Sequence, residues 1–114
     1  MIKIHDQRHY DALVYAMQKI ADSPLSEYVR ELYLYGSCSR GDHNWGSDVD
    51  LLLSLDEDSS HMRREIRMLK SDVTSDDPCA ACVDLKIVFG DTWKENKMTY
   101  YQNIRKEGIC LWGS

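Results

Sequence analysis

The sequence lacks the features that would place a protein in a membrane or on a nucleic acid. It has no apolar run near the roughly 20 residues that cross a bilayer, and its N-terminus, Met1 to Asp6, has no apolar core of a signal peptide. Basic residues are outnumbered, and the net charge of −5 offers no surface for a phosphate backbone. We therefore predict a cytoplasmic protein with no membrane contact and no stable nucleic-acid partner.

Cysteine is also sparse, with four residues in 114. In the cytosol we expect thiols rather than disulfides. Cys79 and Cys82 form a single C-x-x-C pair, and a zinc site there would need two further ligands from Cys38, Cys110 or a histidine. We therefore do not predict zinc at this pair. The histidines show no ligand spacing either: His5, His9, His43 and His61.

The chain shows no internal repeat, no linker and no low-complexity segment, so we predict one domain over residues 1–114. A helical pattern runs from Asp6, its predicted N-cap, with an apolar face over 10–21. A short helix is predicted over 25–30 and a third over 62–73. Residues 93–107 are predicted to be helical in one or two pieces. Gly108 follows as the residue after the helix end.

Strands are predicted at 31–35, 49–55, 82–89 and 109–112, where apolar and branched residues run or alternate. Together with the helical stripes they predict an α+β fold, a small mixed β-sheet with helices packed on one face. We expect the central strands to carry the polar residues described next, with the helices on the opposite face.

Two carboxylates stand at the head of the second predicted strand, in Ser47-Asp48-Val49-Asp50. Alternate strand residues share a face, so Asp48 and Asp50 repel each other unless a cation lies between them. Mg²⁺ prefers such oxygen ligands together with substrate phosphates. Asp84, on the polar face of the third strand, would complete a triad able to hold two metal ions. The alternatives are a turn role for Asp48 and Asp50, and an ion pair between Asp84 and Lys86.

A glycine–serine turn, Gly36-Ser37, ends the first predicted strand. Glycine lets a backbone approach a phosphate, and the following amides and hydroxyl can bind it. Arg40 is either a further phosphate ligand or a solvated loop charge. Trp45 either stacks on a base or covers the edge of the core, and we favour the core.

The Gly36-Ser37 turn, the Asp48-Val49-Asp50 strand start and the later Asp84 strand together resemble the polymerase-beta nucleotidyltransferase superfamily. The resemblance is strong over 32–55, good over 83–88 and extends to the tail 103–112. Within that superfamily the chain looks like a minimal, antitoxin-type nucleotidyltransferase.

The resemblance implies catalytic, metal-binding roles for Asp48, Asp50 and Asp84. It implies nucleotide-binding roles for Gly36 and Ser37, with Arg40 and Ser47 as further candidates. The expected cofactor is Mg²⁺ or Mn²⁺, and ATP is the expected nucleoside triphosphate substrate.

The resemblance further implies transfer of AMP to a hydroxyl, often a tyrosine of a partner protein such as a HEPN-type toxin. No acceptor-binding domain is visible, so the acceptor is expected on a partner protein or in a second copy of a homo-oligomer. The alternative is a catalytically silent, nucleotidyltransferase-like module that neutralises or regulates its partner by docking.

Overall fold

The structure is a computed structural model that describes residues 2–113. It contains four helices, α1 (Gln7–Asp22), α2 (Ser37–Arg40), α3 (Arg63–Asp72) and α4 (Thr99–Glu107). The strands are β1 (Val29–Tyr35), β2 (Val49–Leu55), β3 (Val83–Phe89) and β4 (Ile109–Gly113). Three short 3₁₀ segments cover Ser26–Tyr28, Glu57–Ser59 and Thr92–Glu95.

The four strands form one mixed sheet in the order β3-β2-β1-β4. β1 is antiparallel to both of its neighbours, whereas β2 and β3 are parallel and joined through α3. A parallel pair needs such a crossover because its strands enter the sheet from the same edge. The predicted α+β class and mixed sheet are thus confirmed. β3, however, lies at the edge of the sheet rather than at its centre, because β1 occupies the other side of β2.

One face of the sheet carries the main core, which α1 and α3 cover. The strand residues of this face include fully buried leucines such as Leu34, Leu51 and Leu53. They alternate with residues of the other face, as the two-residue period of a strand requires. From the helices, Leu13, Ile20 and Leu69 pack against this face.

The other face is only partly covered, by Thr92–Glu95 and α4. Leu52 of β2 packs here with Trp93 and Ile104, and Tyr35 of β1 joins the same cluster. The expectation that every helix lies on one face is therefore wrong for α4. The physical reason is that Leu52 and the tyrosines of β1 leave apolar surface on this side, which Trp93 and Ile104 bury.

The helix boundaries follow local capping chemistry. Asp6 has an extended backbone and accepts a 3.1 Å hydrogen bond from the N–H of His9, so its predicted N-cap role is confirmed. The helix predicted over 25–30 is shorter than expected and ends as a 3₁₀ turn at Tyr28. Val29 already belongs to β1. The helix ends here because the Tyr28 carbonyl accepts a 2.8 Å hydrogen bond from the N–H of Asp56, just after β2.

Replacement of a central core leucine tests the packing of β2. Leu53 is fully buried among α1, α3 and the sheet. We expect Leu53→Ala to lower the free energy of unfolding by about 2–5 kcal/mol, because it loses buried apolar area and leaves a cavity. Urea unfolding followed by circular dichroism measures this. Met68→Ala, at a side chain that is 49% exposed on α3, is the control and should cost less than about 1 kcal/mol.

Candidate functional site

The parallel pairing of β2 and β3 brings two of the predicted aspartates side by side. Asp50 and Asp84 are direct partners in the ladder, and the Val49 N–H donates to the Cys82 carbonyl at 2.9 Å. Directly paired residues point to the same side of the sheet. Asp48 lies two residues before Asp50, where the chain enters β2. The structure thus pairs Asp50 with Asp84 at the start of these two strands, and Asp48 is near enough for its charge to act on Asp50.

The charges of these groups act on one another. Asp50 is half-buried, and its pKa is raised to about 6 by burial and by the negative charges of Asp84 and Asp48. The positive charge of Arg40 opposes the rise only in part. A half-buried carboxylate with two like charges beside it favours a proton or a cation as its partner. The donor set consists of hard oxygen ligands, so it fits Mg²⁺ or Mn²⁺.

Gly36 lies against this group in a conformation that only glycine adopts readily. Its φ is +75°, and a Cβ placed there would collide with a carboxylate oxygen of Asp50. Immediately after it, Ser37 begins the single turn of α2 with a half-exposed side chain. The predicted Gly36-Ser37 turn therefore adjoins the aspartates, and the missing side chain leaves the backbone close to Asp50.

Two residues that were not predicted as site residues fix the loop before Asp48. Nε2 of His9 donates to the Ser47 carbonyl at 2.8 Å, and the side chain of His9 is buried. The thiol of Cys38 lies 3.6 Å from the Asp48 carbonyl. Both contacts hold the backbone that carries Asp48. His9 lies far from Ser47 in the sequence, and no spacing rule predicts that contact.

Ser47 and Arg40 are engaged in contacts within the chain. The hydroxyl of Ser47 accepts the Asn44 N–H at 3.0 Å and so closes the loop. Arg40 donates to Glu107 at 2.9 Å and to Asp42 at 3.1 Å. These contacts give both residues a structural role, and their assignment to the nucleotide stays a prediction.

The structure contradicts the expected role of Trp45, and it does not form the alternative ion pair of Lys86 with Asp84. Trp45 is 71% exposed and does not cover the core; the guanidinium of Arg8 lies 4.0 Å from its ring centre instead. Lys86 has its ammonium group 5.2 Å from the ring centre of Tyr100. Within residues 2–113 no ion pair joins Lys86 to Asp84. That leaves the Asp84 carboxylate available for another partner.

A pair of tyrosines borders the aspartates on the same face. The hydroxyls of Tyr35 and Tyr100 are hydrogen-bonded to each other, and their rings meet edge to face. Burial raises the pKa of both phenols, and the charges of Asp50 and Asp84 raise it further. The tyrosines were not predicted as site residues, since Tyr100 reaches the site only because α4 lies on this face.

Comparison with known proteins identifies the family of the chain. A family model described as a nucleotidyltransferase domain matches residues 17–108, most of the chain. The chain belongs to the nucleotidyltransferase domain family. No protein with a curated description matches the sequence.

Solved structures show that the nucleotidyltransferase fold extends over nearly the whole chain. A candidate nucleotidyltransferase from Sulfolobus solfataricus superposes with a TM-score of 0.60 at 17% identity, covering 96% of this chain and 90% of that one. A toxin–antitoxin structure with AMP-PNP has a TM-score of 0.52 at 21% identity, and the match covers 89% of this chain and 73% of that one. A mutant of the toxin–antitoxin pair MntA–HpeT has a TM-score of 0.50 at 19% identity, and the match covers 86% of this chain and 70% of that one. At these identities the likeness establishes the fold. Across residues 2–113 of this nucleotidyltransferase, no helix has the length and apolar character needed to cross a membrane.

A methyl group at Gly36 tests the close approach of the turn to Asp50. We expect Gly36→Ala to destabilise the protein by about 1–3 kcal/mol, since φ is positive and the added Cβ meets the carboxylate. Thermal unfolding measures the effect. Gly46→Ala is the matched control, because φ there is ordinary and the nearest atom is 3.6 Å away. Equal stability of the two variants would contradict the proposed strain.

The raised pKa of Asp50 predicts that the folded state loses stability as the pH rises. The folded state holds the proton up to pH about 6, whereas an unfolded aspartate releases it near 3.8. The carboxylate therefore lowers stability as pH rises through this window. Asp50→Asn should melt higher than the parent at pH 7.5, and the difference should shrink toward pH 4. A difference that does not change with pH would argue against this coupling.

Proposed function

We propose that this nucleotidyltransferase transfers AMP from ATP to a hydroxyl, most simply a tyrosine, of a partner protein. The observation that carries the proposal is the parallel pairing of Asp50 with Asp84 beside Gly36, with Asp48 at the strand entrance. It supplies a set of hard oxygen ligands next to a turn that can approach phosphates. These are the two parts that nucleotidyl transfer needs.

In this proposal Asp48, Asp50 and Asp84 hold one or two Mg²⁺ or Mn²⁺ ions. When bound, such ions neutralise charge on the phosphates and stabilise both the attacking and the leaving oxygen. The raised pKa of Asp50 supports the assignment, because a cation relieves the repulsion that produces it. Gly36 and Ser37 receive the phosphates that leave, with Arg40 free to join them if it exchanges Glu107 for a phosphate.

The chemical step is a displacement at the α-phosphorus of ATP. The acceptor oxygen forms a bond to that phosphorus, the bond to the bridging oxygen of the β-phosphate breaks, and pyrophosphate leaves. Asp84, on the edge strand, takes the proton of the acceptor hydroxyl. Its position supports this role, since its side chain is exposed while that of Asp50 is half-buried.

A partner protein is the proposed source of the acceptor. The net charge of −5 does not favour a nucleic acid as acceptor. Two solved structures with the same fold are toxin–antitoxin structures, one of them with AMP-PNP. They support an antitoxin role in which the partner is a toxin, and an ATP-like nucleotide as the donor. A toxin of the HEPN type is the partner that we propose.

The alternative is an antitoxin that silences its toxin by docking alone. The sheet face that carries α4 and the aspartates would serve such docking as well as it would serve catalysis. The retained carboxylate cluster favours catalysis, because a binding surface gains nothing from three mutually repelling charges.

Nucleotide binding can be tested on the isolated protein. We expect Mg²⁺ with ATP to stabilise the folded state by about 2.7 kcal/mol at 100 times the dissociation constant, since the ligand binds only that state. Asp48→Asn combined with Asp50→Asn should abolish the rise in melting temperature. Asp76→Asn, at an exposed aspartate outside the site, should keep it. Equal rises in the double variant and in the parent would contradict the site.

Transfer can be tested with the protein encoded by the neighbouring gene. Incubation with Mg²⁺ and α-labelled ATP should add the mass of AMP to one tyrosine of that protein. Asp84→Asn should lower the rate by about 10²–10⁴-fold while retaining nucleotide binding, because it removes the proton acceptor. If the partner is silenced without nucleotide, and equally well by Asp84→Asn, the docking alternative is correct.

A further inference from the structure

A second group of ligand-type side chains lies at the N-terminus of α1, outside the aspartate site. His5, Asp6 and His43 each offer a ligand atom, and these atoms all lie within 4.8 Å of one another. The spacing of these residues in the sequence does not predict the group, because His43 belongs to the loop that precedes β2. We propose that His43 and His5 form a binding site for a divalent transition metal ion of the zinc class, in which Asp6 orients the ring of His43.

The unsatisfied nitrogen of His43 is the first argument. The side chain of His43 is only 5% exposed, and its Nε2 donates to Asp6 Oδ1 at 2.9 Å. Nδ1 is buried and has no hydrogen-bond partner. A neutral imidazole that donates from one nitrogen carries a free electron pair on the other. Such a buried, unpaired acceptor is costly unless a partner occupies it, and a metal ion would be that partner.

The carboxylate of Asp6 gives the second argument. Metal-binding histidines usually donate their other ring N–H to a carboxylate, which fixes the tautomer and makes the ring a stronger ligand. The hydrogen bond from His43 to Asp6 has this form. Asp6 is itself held by the N–H of His9 and by the ring of His9, whose Nδ1 lies 2.7 Å from Oδ2. The histidine is thus oriented before any ion arrives.

His5 supplies the mobile ligand. Its exposed ring is stacked on His43, with ring centres 3.9 Å apart and planes 20° apart. A metal lies in the plane of the imidazole that binds it, so the two stacked rings cannot share an ion as they stand. The exposed ring of His5 can turn at little cost, whereas buried His43 stays in place. A pocket of about 270 Å³ next to both rings leaves room for that movement.

The ligand types select the class of ion. Imidazole nitrogens suit Zn²⁺, Ni²⁺ or Cu²⁺ rather than Mg²⁺, which prefers oxygen. Arg8 also lines the pocket, and its positive charge opposes weakly bound cations. Its N–H groups are directed at the carbonyls of Cys79, Ala80 and Trp45, so they do not occupy the imidazoles.

Titration with Zn²⁺ alone tests the site, on untagged protein and in excess Mg²⁺ to saturate the aspartates. We expect one bound ion by calorimetry and a higher melting temperature. His5→Ala should weaken binding on the order of tenfold or more, as should Asp6→Asn, which keeps a good N-cap while it removes the charge. His61→Ala is the control, an exposed histidine away from the cluster, and should bind as the parent does.

Two other sources of zinc binding are separated by further variants. Co²⁺ in place of Zn²⁺ should give visible bands without the ultraviolet charge-transfer band of a thiolate. Cys79→Ser with Cys82→Ser should bind Zn²⁺ as tightly as the parent. Absence of Zn²⁺ binding, equal affinity in His5→Ala, or loss of binding in Asp48→Asn with Asp50→Asn but not in His5→Ala would each overturn the proposal.

Discussion

Repulsion among carboxylates at the head of two parallel strands is the constraint around which this site is built. Parallel pairing sets Asp50 directly beside Asp84, and the chain that enters β2 adds Asp48. Burial and these charges raise the pKa of Asp50 to about 6. Leucine-rich packing behind the strands keeps them from separating to relieve the repulsion. The core thus holds an arrangement that is unfavourable by itself, and a cation bound there would relieve the repulsion.

The neighbouring parts of the fold are adapted to that arrangement. Gly36 has no side chain at the one point where a Cβ would strike Asp50. The bond from His9 to the Ser47 carbonyl fixes the loop from which Asp48 emerges. On the same face, α4 brings Tyr100 against Tyr35 and borders the carboxylates with an apolar wall. The sheet thus carries the aspartates, α1 fixes the loop before Asp48, and α4 borders the site with Tyr100.

In the cluster of His5, Asp6 and His43, one residue, Asp6, connects the start of α1 to the loop before β2. Asp6 caps α1, accepts from His43 and holds the ring of His9. His9 in turn reaches Ser47, next to Asp48. An ion bound by His5 and His43 would therefore lie on the same chain of contacts that positions the aspartate site. The two sites differ in ligand chemistry, nitrogen-rich in one and oxygen only in the other.

The sequence by itself determined the strand at 49–55, the cap at Asp6, the α+β class and the aspartate and Gly-Ser motifs, because these depend on neighbouring residues and on periods of two or 3.6. Tertiary structure alone decided that β3 is an edge strand, that α4 lies on the carboxylate face and that Trp45 is exposed. It also decided that His5, Asp6 and His43 meet. These outcomes depend on contacts between distant segments, and no local pattern records which segments will pack together.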